Sequence, residues 1–150
     1  MKKIFLIPLA IFMFSCNTTK KTAETTKEVS TEVKKSNNKL YEILTESAYQ
    51  GKEEKSFEVI KDKSSLESLY ASVNDTEVPE IDFSKSRIVA LFLGQRNSGG
   101  YQIKVKQVAE KEGKIYVTTE EIKPEGMATM AITNPFTIVK INSTKEIIFK

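Results

Sequence analysis

Residues 88–93 read IVALFL, six apolar residues in a row between Arg87 and Gly94. A strand with one solvated face alternates apolar and polar side chains. An unbroken run this short suits a strand covered on both faces. Upstream, Leu66, Leu69, Tyr70 and Val73 fall at i, i+3, i+4 and i+7, which is one stripe of a helix. Ser64 followed by Glu67 fits a capping box at its start, and Asn74-Asp75 marks its end. Downstream, Tyr101, Ile103 and Val105 alternate with Gln102, Lys104 and Lys106. Gln107-Val108 breaks that phase, which predicts a bulge. Glu112-Gly113 is a hairpin turn signal, with a return strand over 115–122.

Further strands are expected from Tyr41 to about residue 50, over 57–60, over 136–141 and over 146–149. In the first of these, Tyr41, Ile43 and Thr45 share one face at period two. There is no internal repeat. Residues 40–150 therefore read as one α+β domain, a mostly antiparallel β-sheet with one packed helix. At about 110 residues it can build a core without crosslinks.

The chain begins differently. Residues 1–15 read MKKIFLIPLAIFMFS, a short cationic start followed by an apolar run. That run is too short to span a bilayer, which takes about 20 apolar residues. It reads as a signal peptide. Cys16 follows at its exit and is the single cysteine of the sequence. Met13-Phe14-Ser15-Cys16 resembles a bacterial lipobox, whose cysteine takes a diacylglycerol and becomes residue one after cleavage. Two or three acyl chains make a lasting membrane tether. Residues 17–39 hold six Lys and three Glu among Thr, Ser and Asn, with Val29 and Val33 nearly the sole large apolar residues. Such a composition cannot offset the entropy of ordering, so residues 16–39 read as a lipidated cysteine and a disordered tether.

Charge and composition exclude several function classes. Without Lys2 and Lys3 the chain carries 21 Lys and Arg against 20 Asp and Glu, and residues 40–150 carry 15 against 17. A nucleic-acid binder needs a clustered basic footprint, which this pattern lacks. There is no histidine, so a Ser-His-Asp or Cys-His arrangement cannot form. A zinc site of His and Cys is excluded for the same reason. No cofactor is expected. Glu120 and Glu121 are adjacent, so on a strand their carboxylates point to opposite faces. A carboxylate hydrolase needs two of them facing one cleft.

One loop stands out. Gln95, Arg96, Asn97, Ser98, Gly99, Gly100 and Tyr101 follow Gly94 and the buried strand. The spacing from Gly94 to Gly99 is that of a phosphate-binding loop, but no Lys-Ser/Thr pair and no helix follow. The expected structure is a glycine hairpin with positive φ at Gly99 or Gly100 and a polar tip, the best recognition loop in the chain. Met127 to Asn134, MATMAITN, is apolar without clean alternation, which fits a connection that covers the core and also makes it a second candidate surface.

These residues carry a family resemblance. The apolar strand with Gly94, the Ser98-Gly99-Gly100-Tyr101 signature, Ile103, Val105, Val117, Pro124, Asn134-Pro135-Phe136 and Val139-Lys140 resemble the C-terminal domain of the PrcB family. The resemblance implies a lipoprotein module that binds or stabilises a partner protease and is not itself a peptidase. It also implies residence in the cell envelope, at the outer membrane.

The expected function is thus a non-enzymatic, protein-binding envelope lipoprotein. Its expected partners are membrane lipid through acylated Cys16 and a protease or other envelope protein through residues 95–101. The alternative is a small-ligand or glycan-binding lipoprotein, using a cleft between sheet and helix lined by Tyr70 and Phe92.

Overall fold

The computed structural model describes residues 40–150; residues 1–39, on which the expected signal peptide, lipidated Cys16 and tether fall, lie outside the described residues. The elements run β1 (Tyr41–Ser47), β2 (Ser56–Ile60), α1 (Lys63–Ser72), β3 (Arg87–Phe92), β4 (Gln102–Lys111), β5 (Lys114–Ile122), β6 (Phe136–Ile141) and β7 (Ile147–Phe149). They make a mostly antiparallel α+β fold with one helix. The strands divide between two sheets, ordered β1-β6-β3-β2 and β4-β5-β7. Only β7 pairs in parallel, against β5.

The IVALFL run explains this layering. Its side chains alternate between two separate cores. Ile88, Ala90 and Phe92 pack with Leu66, Leu69, Tyr70 and Val73 of the helical layer. Val89, Leu91 and Leu93 pack with Ile103, Val105, Val108, Ile115 and Val117 of the second sheet. All six are fully buried, because each face of the strand has its own cover. A buried hydrogen bond from Thr137 Oγ1 on β6 to the Ile103 carbonyl on β4 ties the two sheets together.

Two bulges set the register. On β4 the pairing shifts between Val105 and Gln107, so Lys106 is the extra residue, one place before the expected break. On β1 it shifts between Ile43 and Thr45. That bulge moves Thr45 onto the Ile138 face, so Thr45 does not share a face with Tyr41 and Ile43 as the simple alternation predicts.

The helix starts two residues earlier than the capping-box spacing suggests. Asp62 is the N-cap, extended at φ −149°. Its carboxylate accepts from the Ser65 amide at 2.8 Å and from the Ser65 hydroxyl at 2.9 Å. Ser64 is already helical, and Glu67 pairs with Lys63 at 3.8 Å rather than reaching back to the cap. An ionised carboxylate is the stronger acceptor for the orphan amides, which favours Asp62. The far end closes where expected. Asn74 is left-handed at φ +53°, the Asp75 amide donates to Tyr70 O at 3.0 Å, and the Asn74 amide donates to Ala71 O at 3.2 Å. This is the double-bonded helix stop in which a left-handed residue satisfies two terminal carbonyls.

Candidate functional site

Residues 93–101 do not form a hairpin. β3 pairs with β2 and β6, whereas β4 pairs with β5 in the other sheet. The glycine segment is a crossover from one sheet to the other. Gly100 is left-handed as expected, at φ +87°, and Gly94 is left-handed too, at φ +83°.

The crossover is held from both sides. Arg96 and Thr133 exchange amide hydrogen bonds at 2.8 and 2.9 Å. Thr133 Oγ1 donates to Ser98 O at 2.9 Å, and the Gly99 amide donates to Thr129 O at 2.9 Å. On the other side the Gln95 amide donates to Glu53 O at 2.9 Å. The 48–55 connection also grips the 127–134 segment: the Gly51 amide donates to Asn134 O at 2.9 Å, and Asn134 Nδ2 donates back to Gly51 O at 3.2 Å. A Cβ on Gly51 would lie 2.4 Å from Asn134 O, so this contact requires glycine. The two surfaces singled out from sequence, 95–101 and 127–134, are therefore neighbours in one loop cluster. The part played by Gly51 was not foreseen; the apposed Gly51 and Asn134 are 83 residues apart in the chain.

The side chains of the cluster divide into anchors and exposed groups. Arg96 is an anchor. Its guanidinium lies 3.5 Å from Glu121 and 5.6 Å from the Tyr101 ring. Lys55 approaches the same Glu121 at 3.8 Å. Gly99 is buried and Ser98 half-buried, while Gln95, Asn97 and Gly100 are exposed. Beside them stand Met127 and Met130, fully exposed, and Ile132, 67% exposed. Tyr49, which follows the Ala48 carbonyl that accepts from Asn134, is exposed as well. Exposed large apolar groups gathered on one segment are the feature that marks an interaction surface. MATMAITN carried that signal in sequence; Tyr49 did not.

Glu120 and Glu121 diverge as alternation requires. Glu120 pairs with Lys106 at 3.3 Å, while Glu121 turns to Arg96 and Lys55.

Tyr70 and Phe92 do not line a cleft. They are 2% and 0% exposed, packed in the core beneath the helix. Burial, with Asp75 nearby, pushes the Tyr70 hydroxyl up to about 12. A shallow groove of about 320 Å³ lies instead between α1 and β2, lined by Ser64, Ser65, Ser68 and Ser72 against Lys52 and Glu58.

Residues 87–142 match the family described as PrcB C-terminal. No curated protein and no solved structure matches the chain. The matched stretch runs from β3 through β6 and includes both halves of the loop cluster, the 94–101 crossover and the 127–134 segment. The family resemblance carried by the sequence thus stands over residues 87–142.

Proposed function

We propose that this protein is a non-enzymatic envelope lipoprotein whose folded part binds and stabilises a partner protein, as the match of residues 87–142 to the PrcB C-terminal family suggests. One observation carries the reading: Met127, Met130 and Ile132 stand in water on a segment hydrogen-bonded to the 94–101 glycine crossover. Methionines adapt their shape to a partner surface and suit such a role. The sequence has no histidine and a single cysteine at the lipidation position, which supports binding over catalysis. Acylated Cys16 would hold the domain at the outer membrane, and the partner would be an envelope protease or another envelope protein.

The test is affinity capture of the lipidated protein from membranes, with the captured proteins identified. A Met127→Ser, Met130→Ser, Ile132→Ser variant is expected to lose a recurrent peptidase while its melting temperature stays unchanged. A Gln95→Ala, Asn97→Ala variant reports whether the crossover contributes. Equal capture by wild type and both variants would remove the loop cluster as the binding site. Cys16→Ser tests the anchor: correct cleavage with retained membrane fractionation would rule it out.

A further inference from the structure

Charge is sorted across the layers of this domain. Residues 61–86, which hold α1 and the connection to β3, carry six Asp and Glu against three Lys. The outward face of the second sheet reverses that balance. Cross-strand pairing decides which side chains share it. Lys104 lies opposite Glu120, Ala109 opposite Tyr116, and Lys111 opposite Lys114. The residues between them, Ile103, Val105, Ile115 and Val117, point into the core between the sheets. By the period-two rule the lysine set faces away from the protein. Lys106 joins it through Glu120, and Lys150 lies 4.3 Å over the Tyr116 ring.

Five lysines thus share a face on which Glu120 is the one strand carboxylate among the described residues. Glu112 and Glu146 reach its rim and pair with Lys111 at 3.3 Å and Lys114 at 2.9 Å. Lys104 and Lys150 make no ion pair with an Asp or Glu among the described residues. At the centre of the face, Tyr116 is half-buried, with Ile148 beside it. A tyrosine ringed by lysines has the amphipathic character of a membrane–water boundary.

We propose that this lysine face is the surface the domain lays on an anionic lipid leaflet, with the acidic helical layer turned away. Lysines near an anionic leaflet are attracted individually, and the helical layer is repelled, so the charge separation selects one orientation. The lysine face uses none of the side chains of the loop cluster, so it is tested apart from whatever that cluster binds.

The test places the full chain on vesicles of phosphatidylcholine alone or mixed with phosphatidylglycerol. Lysines are then footprinted with an amine-acylating reagent and read by mass spectrometry. On the anionic vesicles, labelling of Lys104, Lys106, Lys111 and Lys114 should fall about threefold or more relative to Lys61, Lys63 and Lys85. Raising ionic strength to about 1 M, where the screening length is about 3 Å, should restore it. Lys104→Gln with Lys114→Gln should reduce the protection of Lys106 and Lys111 without moving the melting temperature. Equal labelling of the two lysine groups on anionic vesicles would overturn the proposal, as would the same protection on phosphatidylcholine alone. Failure to float with phosphatidylcholine would count against the Cys16 anchor, while the footprint on anionic vesicles still decides the face.

Discussion

Gly113 and Gly94 adopt the same left-handed backbone, at φ +74° and +83°, in opposite surroundings. Gly113 turns the β4–β5 hairpin into open solvent, with nothing within 4 Å of where a Cβ would stand. Gly94 lies under the 53–55 backbone, where a Cβ would meet Lys55 N at 2.9 Å and Glu53 O at 3.1 Å. One glycine serves only its own turn. The other serves an approach between segments about 40 residues apart in the chain. Two equally good turn signals in the sequence thus encode a hairpin in one case and a sheet-to-sheet crossover in the other.

Substituting both glycines tests that contrast with the largest expected effect. Gly113→Ala meets only the left-handed penalty and should cost about 1 kcal/mol. Gly94→Ala meets that penalty plus a backbone collision and should cost about 3 kcal/mol or more. Denaturant midpoints measure both. Equal losses would mean that the 53–55 backbone yields freely and the crossover is not held there.

A smaller effect is expected from the other side of the crossover. Thr133 is 1% exposed, and its hydroxyl bonds Ser98 O. Thr133→Val keeps the shape and removes the donor, which should cost about 1–2 kcal/mol. Limited proteolysis should become faster within 95–101 and stay unchanged at the Glu112-Gly113 turn. Parallel acceleration at both turns would show general loosening instead.

The smallest effect belongs to a purely local feature, the helix cap. Asp62→Ala should lower the melting temperature modestly, and Ser64→Ala should leave it nearly unmoved. The hydrogen bonds from Ser65 hold the Asp62 carboxyl below its ordinary value of 3.8. A depressed carboxyl stabilises the folded state above its unfolded value, and that stability is lost as pH falls through the folded value. The gap between wild type and Asp62→Ala should therefore be full at neutral pH and close progressively below pH 3.8. A gap that persists at still lower pH would show that the carboxylate charge is not what caps the helix.

The sequence by itself determined whatever depends on neighbours in the chain. The IVALFL run announced a strand covered twice, the Leu66-Leu69-Tyr70-Val73 stripe announced the helix, and Glu112-Gly113 announced a hairpin. Each rests on periodicity or on turn chemistry within a few residues, and each stands in the structure. Tertiary structure decided the rest. Whether β3 and β4 pair or part depends on which edges β6 and β5 occupy, and no local pattern near Gly94 records it. The face taken by Thr45 depends on a bulge set by β6, and the burial of Tyr70 and Phe92 depends on how closely the helix lies on the sheet. The loop cluster follows the same rule. Its residues were legible as two separate stretches, but their meeting through Thr133, Asn134 and Gly51 is a product of long-range packing. Hydrogen bonds between segments this far apart leave no spacing in the sequence, because their geometry is fixed only once both sheets are closed over their cores.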